Sequence, residues 1–547
     1  LKVTFPRSRK SSLSTAISNV TTQTKKVYKC LDRCKEKAYS VNVSETVDCH
    51  REVGRLKAEA EKSEISRQKL KKALGQKLKK EDERNMPDVK SEENEIPYGK
   101  ENETCAELKR KYDVIVVGAG VAGLNAALFL PRDKEILLIS KESPRHSDSY
   151  LAQGGICVLK WDGDYDAYFR DTMRAGHFEN NPDTVDCMLR SSRETIADLL
   201  CSGVRFSRDE KGNFLYTREG GHSKNRIMYH EDCTGKEITS ALFRRVKRLK
   251  NVHIRPYTVL LDILADEKND VCTGAVLKDR ATGKIFPVSA DYVVLATGGI
   301  GGLFRFSTNY RNLTGDGVAI CLRHGVKTEH VDYIQIHPTT LYTKKRGRRF
   351  LISESVRGEG AVLLDGDGNR FTDELQPRDV VTAAIYKQME KEGSEFVRLD
   401  LRTIPEKTVR EHFPAIVRRC AAEGYDVFKA PIPVVPGQHY FMGGIASDLE
   451  GKTSMRRLFA VGETCCNGVH GKNRLASNSL LESLVFAKRA ALAISNTYFP
   501  LSAEEEKEGM QGFDESNYKD ERRLAAEYKK SVLGEIQRQK KETEAKK

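Results

Sequence analysis

The chain of 547 residues is 39% hydrophobic and 31% charged, enough for a large buried core and, by length, about two to four domains. Its formal net charge of +14 is not concentrated on one motif-bearing stretch, and the lysine-rich flanks at 50–110 and 501–547 carry nearly as many acids as bases, so the charge does not by itself point to nucleic acid or a membrane surface. Thirteen cysteines at irregular spacing exclude a disulfide scaffold, and no run approaches the ~18 uninterrupted apolar residues of a membrane-spanning helix.

Residues 1–29 are basic, rich in Ser and Thr and free of acidic residues, the composition of an organellar transit peptide. Two locations follow: the cytoplasm, or a plastid or mitochondrion if this leader is a targeting signal. Cys30, Cys34, Cys49 and His50 lack the paired spacing of zinc modules, so no metal site is expected. The flanks at 50–110 and 501–547 have few aromatics and many charges, which predicts solvated helix or disorder.

Composition changes abruptly at Tyr112, where YDVIVVGAGVAGLNAALFL begins. Asp113 to Val117 is a β-branched run, Gly118, Gly120 and Gly123 follow at GxGxxG spacing, and Leu124 to Leu130 reads as a helix stopped near Pro131. The first glycine permits a tight turn, the second admits a pyrophosphate against the backbone, and the third lets the helix pack on the sheet. The helix N-terminus then offers unpaired N–H groups to phosphate. A second strand, Glu135 to Ile139, ends in Ser140-Lys141 where many dinucleotide sites carry an acid for the ribose; Ser140 is the substitute hydrogen-bonding group. Tyr292 to Ala296 is a further strand running into Thr297-Gly298-Gly299, and LTGDGV, with Asp316, again provides backbone for close approach to a cofactor.

Taken together, VIVVGAGVAGLNAAL, SYLAQGGI, TREGGHS, DCTGKEI, VVLATGG, TGDGVAI, QIHPTTL, SESVRGEGA, PRDVV, PGQHYFMGGI and AVGETCCNGVHGKNRLASNSLLESLVF resemble, in content and order, the fumarate reductase and succinate dehydrogenase flavoprotein family, most closely its aspartate-oxidising branch. The resemblance spans Tyr112 to about Ala490. It implies an α/β fold: a Rossmann-type FAD-binding domain made of 111–330 and 440–495, an inserted α+β capping domain at 331–439, and a short helical or disordered tail at 496–547 after the charged extension 1–110.

The resemblance also implies roles. Gln153, Gly154 and Gly155 pass the isoalloxazine ring; Gly118, Gly120, Gly123, Ser140, Lys141, Thr297, Gly298, Gly299 and Asp316 line the rest of the cofactor; Glu463 bonds the ribityl or ribose region; and Asn478, Ser479 and Leu480 present a helix start to the flavin pyrimidine edge. Asp148 stands where succinate dehydrogenases carry the flavin-tethering His, which implies noncovalent FAD, with His146 the alternative attachment point. His337, Ser353, His439 and Arg474 are implied to hold the substrate carboxylates, and Arg378 to act as proton donor, a role in which its high pKa favours donation over deprotonation. Glu219 is the discriminating residue: an α-ammonium asks for a negative acceptor, where succinate dehydrogenases have an apolar residue.

The implied reaction is oxidation of L-aspartate to iminoaspartate, with FAD reoxidised by oxygen, giving hydrogen peroxide, or by fumarate, and with quinolinate synthase as the consumer of the product in NAD biosynthesis. Two other readings compete: a fumarate reductase or succinate dehydrogenase flavoprotein subunit, against which Asp148 and Glu219 speak, and a basic nucleic-acid-binding scaffold on a relic flavin fold, against which the intact motif set speaks. Cys465-Cys466, beside Glu463, are read as buried packing or as a redox pair.

Overall fold

The computed structural model describes residues 109–545 apart from 346; the leader at 1–29 and the Cys30, Cys34, Cys49 and His50 group lie outside the described residues. The central sheet has seven strands. Val252–Pro256, Ile136–Ser140, Lys111–Val117, Ile285–Leu295, Val271–Asp279 and Thr258–Asp266 follow one another across it, and Leu458–Ala460 pairs with Ile285–Leu295. The first four and the last are parallel neighbours, whereas 258–279 forms an antiparallel extension. The parallel strands are buried on both faces, which is why VIVV and ILLI are continuous apolar runs rather than alternating ones.

Helix α1 (Val121–Phe129) follows the first strand through Gly118. Gly118 has φ +118°, and a Cβ there would lie 2.1 Å from the Ala296 carbonyl; at Gly123 a Cβ would lie 1.9 Å from the Gly118 carbonyl. The turn is therefore closed to any side chain at either position. α1 packs against α4 (Asn478–Asn496), so the start and end of the motif-bearing region meet on one face of the sheet.

A second, antiparallel sheet is built from Ile334–Leu341, Ile432–Phe441, Val397–Asp400 and Val362–Leu364. It has an apolar cluster of its own, including Ile352, Val356, Leu363, Val381, Ile385, Leu399 and Val434. Short helix α2 (Glu354–Gly358) and helix α3 (Arg378–Glu392) belong to this lobe. The expected α/β fold with an additional α+β element is present.

The C-terminal segment is helical, one of the two expected alternatives, but docked rather than wholly solvated. Ala503–Gln511 is a helix closed by a Ser502/Glu505 capping box, and helix α5 (Glu521–Ala545) buries Leu524, Tyr528 and Val532 in the apolar layer on the second face of the main sheet. The Tyr528 hydroxyl donates to the Leu261 carbonyl at 2.6 Å, and Gln539 accepts the Val331 N–H at 2.7 Å. Composition concealed this because three well-spaced apolar residues suffice for a one-sided docking stripe while the exposed face stays charged. Val532→Ala is expected to destabilise the protein by about 1–3 kcal/mol, read as a lower thermal midpoint; an unchanged midpoint would show that α5 is not stably docked.

Candidate functional site

One cavity runs from the end of the first strand to the second lobe. Gly118, Gly120, Ser140, Lys141, Gln153, Gly154, Gly155, Thr297, Gly298, Asp316, Glu463, Ser479 and Leu480 line it, and so do Glu219, His337, Ser353, Arg378, His439 and Arg474. Three expected cofactor residues do not. Gly123 sits behind the turn as a packing glycine. Gly299 leaves room for a carboxylate, since a Cβ there would lie 2.3 Å from Glu463 Oε1. Asn478 is wholly buried, its side chain accepting from the Tyr168 hydroxyl at 2.7 Å and donating to Thr172, so it braces the start of α4 from behind while Ser479 and Leu480 face the cavity.

At the far end, Lys141 Nζ contacts Asp316 and donates to Thr314 Oγ1 at 2.9 Å and the Asn312 carbonyl at 3.0 Å. The two charges compensate each other and tie the second strand's end to the TGDG turn. The Ser140 hydroxyl donates to the Glu142 carbonyl at 2.6 Å, which shapes the loop that follows.

In the middle, Asp148 accepts the Tyr310 N–H at 3.0 Å through Oδ1, while Oδ2 is buried without a partner. Burial pushes the Asp148 carboxyl up to about 7. Burial, with Asp148 nearby, also raises Glu463 well above the usual carboxylate range, although Glu463 accepts the Phe441 N–H at 3.1 Å. His146 lines the cavity with Nδ1 3.0 Å from Glu142. Cys465 and Cys466 are buried and off the cavity; burial raises both thiols, that of Cys466 to about 12, which fits packing rather than a reactive thiolate.

The substrate end is set by the second sheet. Its two long strands place His337 opposite Gly437, and the His337 and His439 rings meet edge to face with centroids 5.1 Å apart. His337 Nδ1 lies 3.1 Å from both the N and O of Thr339, leaving buried Nε2 with no protein partner. His439 Nδ1 lies 2.7 Å from Thr308 Oγ1. Burial, then the Arg378 charge, holds both imidazoles well below their usual range, so both are neutral hydrogen-bonding groups near pH 7. Ser353 caps α2, accepting the Ser355 N–H.

Arg378 opens α3. Its Nε donates to Glu354 and its Nη1 to Gln335 Oε1 at 2.8 Å. Arg474 Nη2 reaches the same Gln335 oxygen at 3.1 Å, and its Nη1 reaches Ser479 Oγ at 2.9 Å. Gln335 thus clamps two guanidiniums, with the Arg474 plane 4.5 Å above the Tyr440 ring. Burial and the neighbouring Arg378 push Arg474 down to about 10, still a cation near neutrality. Glu354 is almost fully buried between Arg378 and Arg357, and against the upward pull of burial those two cations keep it ionised.

Glu219 is 2% exposed. Its oxygens accept hydroxyls from Ser355, at 2.7 Å, and from Ser477. Burial, with the Glu354 charge close by, raises its carboxyl above the usual range. Glu354, Gln335, Ser355 and Ser477 were not singled out from the sequence, although each lies inside or beside a motif that was; nothing in the strings distinguishes a residue that supports its neighbour from one that faces a ligand.

The FAD binding domain family matches residues 113–480. The chain is 48% identical to an L-aspartate oxidase of Clostridium perfringens over 390 residues, covering 71% of this chain and 88% of that protein. It belongs to the L-aspartate oxidase family of FAD-binding flavoproteins. A chloroplastic L-aspartate oxidase of Nicotiana tabacum is 38% identical across 70% of this chain and 61% of its own length. Among solved structures, a quinol-fumarate reductase with menaquinol superposes with a TM-score of 0.70 at 33% identity, covering 75% of each chain. An E. coli quinol fumarate reductase superposes at 0.68 and 30%, covering 78% of this chain and 82% of that one.

This family member is an FAD-dependent oxidoreductase, and its cavity fits the cofactor on its own evidence. Buried polar groups are normally bonded, yet Asp148 Oδ2, Gln153 Oε1, His337 Nε2 and Arg474 Nε are all buried, unpartnered and on residues lining this one cavity. No helix of the described residues is long and apolar enough to cross a membrane.

Proposed function

We propose that the site oxidises L-aspartate to iminoaspartate, and the observation that carries this reading is the buried Glu219 carboxylate at the substrate end, whose hydrogen-bond partners are serine hydroxyls, whereas its neighbour Glu354 is already paired with Arg378 and Arg357. A plain dicarboxylate needs only the cations: Arg474 and Arg378 offset its two charges, with Ser353, His337 and His439 donating hydrogen bonds. A buried carboxylate facing such a ligand is repulsive unless the ligand also carries a cation, and an α-ammonium supplies one. FAD, held by the residues that line the first-strand end of the cavity, would supply the hydride acceptor for Cα. Around it, Glu219 holds the amine and takes its proton as the C=N bond forms, Arg474 and the imidazoles fix the carboxylates, and the buried walls exclude water. In the fumarate-reducing direction Arg378 donates a proton to one alkene carbon, with the Glu354 and Gln335 contacts fixing its plane.

In this reading 331–439 caps the cofactor domain formed by 111–330 and 440–495. Product release supplies an unstable imine to a following enzyme, for which quinolinate synthase is the proposed consumer, and either oxygen or fumarate restores the flavin. The compartment is proposed to be the cytoplasm, or an organelle if 1–29 acts as a transit peptide. Anaerobic bleaching of the flavin by L-aspartate, but not by succinate or D-aspartate at equal concentration, tests the assignment; bleaching by succinate alone would replace it with the succinate dehydrogenase reading.

FAD is proposed to be noncovalent, because a buried carboxyl at Asp148 offers no imidazole to the ring. Acid precipitation is expected to leave a yellow supernatant and a colourless pellet; colour in the pellet would indicate a covalent link, for which His146 is the residue to replace.

A further inference from the structure

The Glu219 carboxylate is gripped from two directions. Ser477, left-handed at φ 62°, immediately precedes α4; its hydroxyl donates to Glu219 Oε2 and accepts the Gly155 N–H at 3.2 Å. Ser355 comes from α2 in the second lobe, donating to Glu219 Oε1 and accepting from the Ser353 hydroxyl at 3.2 Å. Both serines are 7% exposed. The fit around them is tight: a Cβ at Gly154 would lie 2.6 Å from Glu219 Oε1, and one at Gly358 would lie 2.1 Å from the Arg218 carbonyl. The segment 353–358 is therefore seated directly on the strand of chain that carries Glu219.

We propose that Ser355 is a positioning residue for substrate choice: with Ser477 it aims the Glu219 carboxylate at the ligand's α-ammonium, so that amine recognition is complete only when α2 is seated. The inference rests on Glu219 being the ammonium partner. Hydroxyl donors to an ionised carboxylate favour that form and fix its orientation, and here they act against burial and the nearby Glu354 charge, which oppose ionisation. Loss of the Ser355 hydroxyl frees one carboxylate oxygen to rotate and weakens the charged form. A ligand without an amine loses no bond by either change, and a dianion is if anything less repelled.

The test uses the FAD-loaded full chain and compares kcat/KM for L-aspartate oxidation with that for fumarate reduction across mildly acidic to mildly alkaline pH. For Ser355→Ala the aspartate-to-fumarate ratio is expected to fall about three- to tenfold, and the acidic limb of the aspartate profile to move to higher pH. Ser355→Thr restores both, and Ser355→Cys, close in volume and a weaker donor, falls between. Equal losses on both substrates, or an unmoved acidic limb, overturn the positioning role. Glu219→Gln separates the two claims. A collapsed ratio there with an unchanged ratio in Ser355→Ala overturns only the role of Ser355, whereas an unchanged ratio in Glu219→Gln overturns the reading of Glu219 and this inference with it.

Discussion

Arg378→Lys is expected to lower fumarate-reducing turnover by about a hundredfold or more while FAD stays bound with an unaltered spectrum. The guanidinium spans two buried acceptors at once, Glu354 through Nε and Gln335 through Nη1. An ammonium is a point donor on a flexible stem and cannot hold both in one plane while aiming a third N–H at the alkene carbon. If it pairs with Glu354, Gln335 is left to Arg474 alone; if it moves toward the ligand, Glu354 loses a counter-charge in a site where it is almost fully buried. Stopped-flow reoxidation of reduced enzyme by fumarate reads the affected step directly. Turnover within about threefold of the parent would remove Arg378 from the chemistry.

Glu219→Gln is expected to divide the substrates. L-Aspartate should lose about ten- to a hundredfold in kcat/KM, because the charge-assisted bond to its ammonium is replaced by a neutral one. Fumarate and succinate should change little or improve, since a negative charge facing a dianion is removed. The same substitution suits the local structure: the Gln carbonyl still accepts one serine hydroxyl, so a general collapse of the pocket is not expected. Equal losses for aspartate and fumarate would make Glu219 a support of the pocket and would leave the preference for the amino acid without its physical basis.

Much of the site was legible because QIHPTT, PRDVV and GKNRLASNS resemble a family's motifs in content and order, which singled out one His or Arg in each; a lone His or Arg is by itself as readily a core or surface residue. The cavity brings all of them together. Gly123 packs α1 on the sheet, as the third glycine of its motif was read to do, whereas Gly299 and Asn478, in the same motifs as residues that line the cavity, make room for Glu463 and brace α4. A motif position records that a residue matters without recording which side of the backbone it serves.

The tail shows the complementary limit. Composition over 501–547 predicts solvation, but Leu524, Tyr528 and Val532 recur at a spacing of four residues and lie on one face of α5. Three apolar side chains are too few to shift a compositional average and enough to dock a helix in the apolar layer that also holds Val318, Ala319 and Ile320.

By itself the sequence determined the glycine turn and the continuous apolar strands of the parallel sheet, which follow from local rules: which residue tolerates a left-handed turn and which run can be buried on both faces. The cofactor class and the six side chains proposed for the substrate end came through the resemblance of the ordered motifs to a known family. Only the tertiary structure decided the pairings. Gln335 clamping Arg378 to Arg474, Glu354 fixing Arg378, and serines 122 positions apart converging on one carboxylate all join residues remote in the chain. Hydrogen bonds act over about 3 Å, so their partners are set by how the lobes pack, and no property of either residue alone reveals which partner it meets.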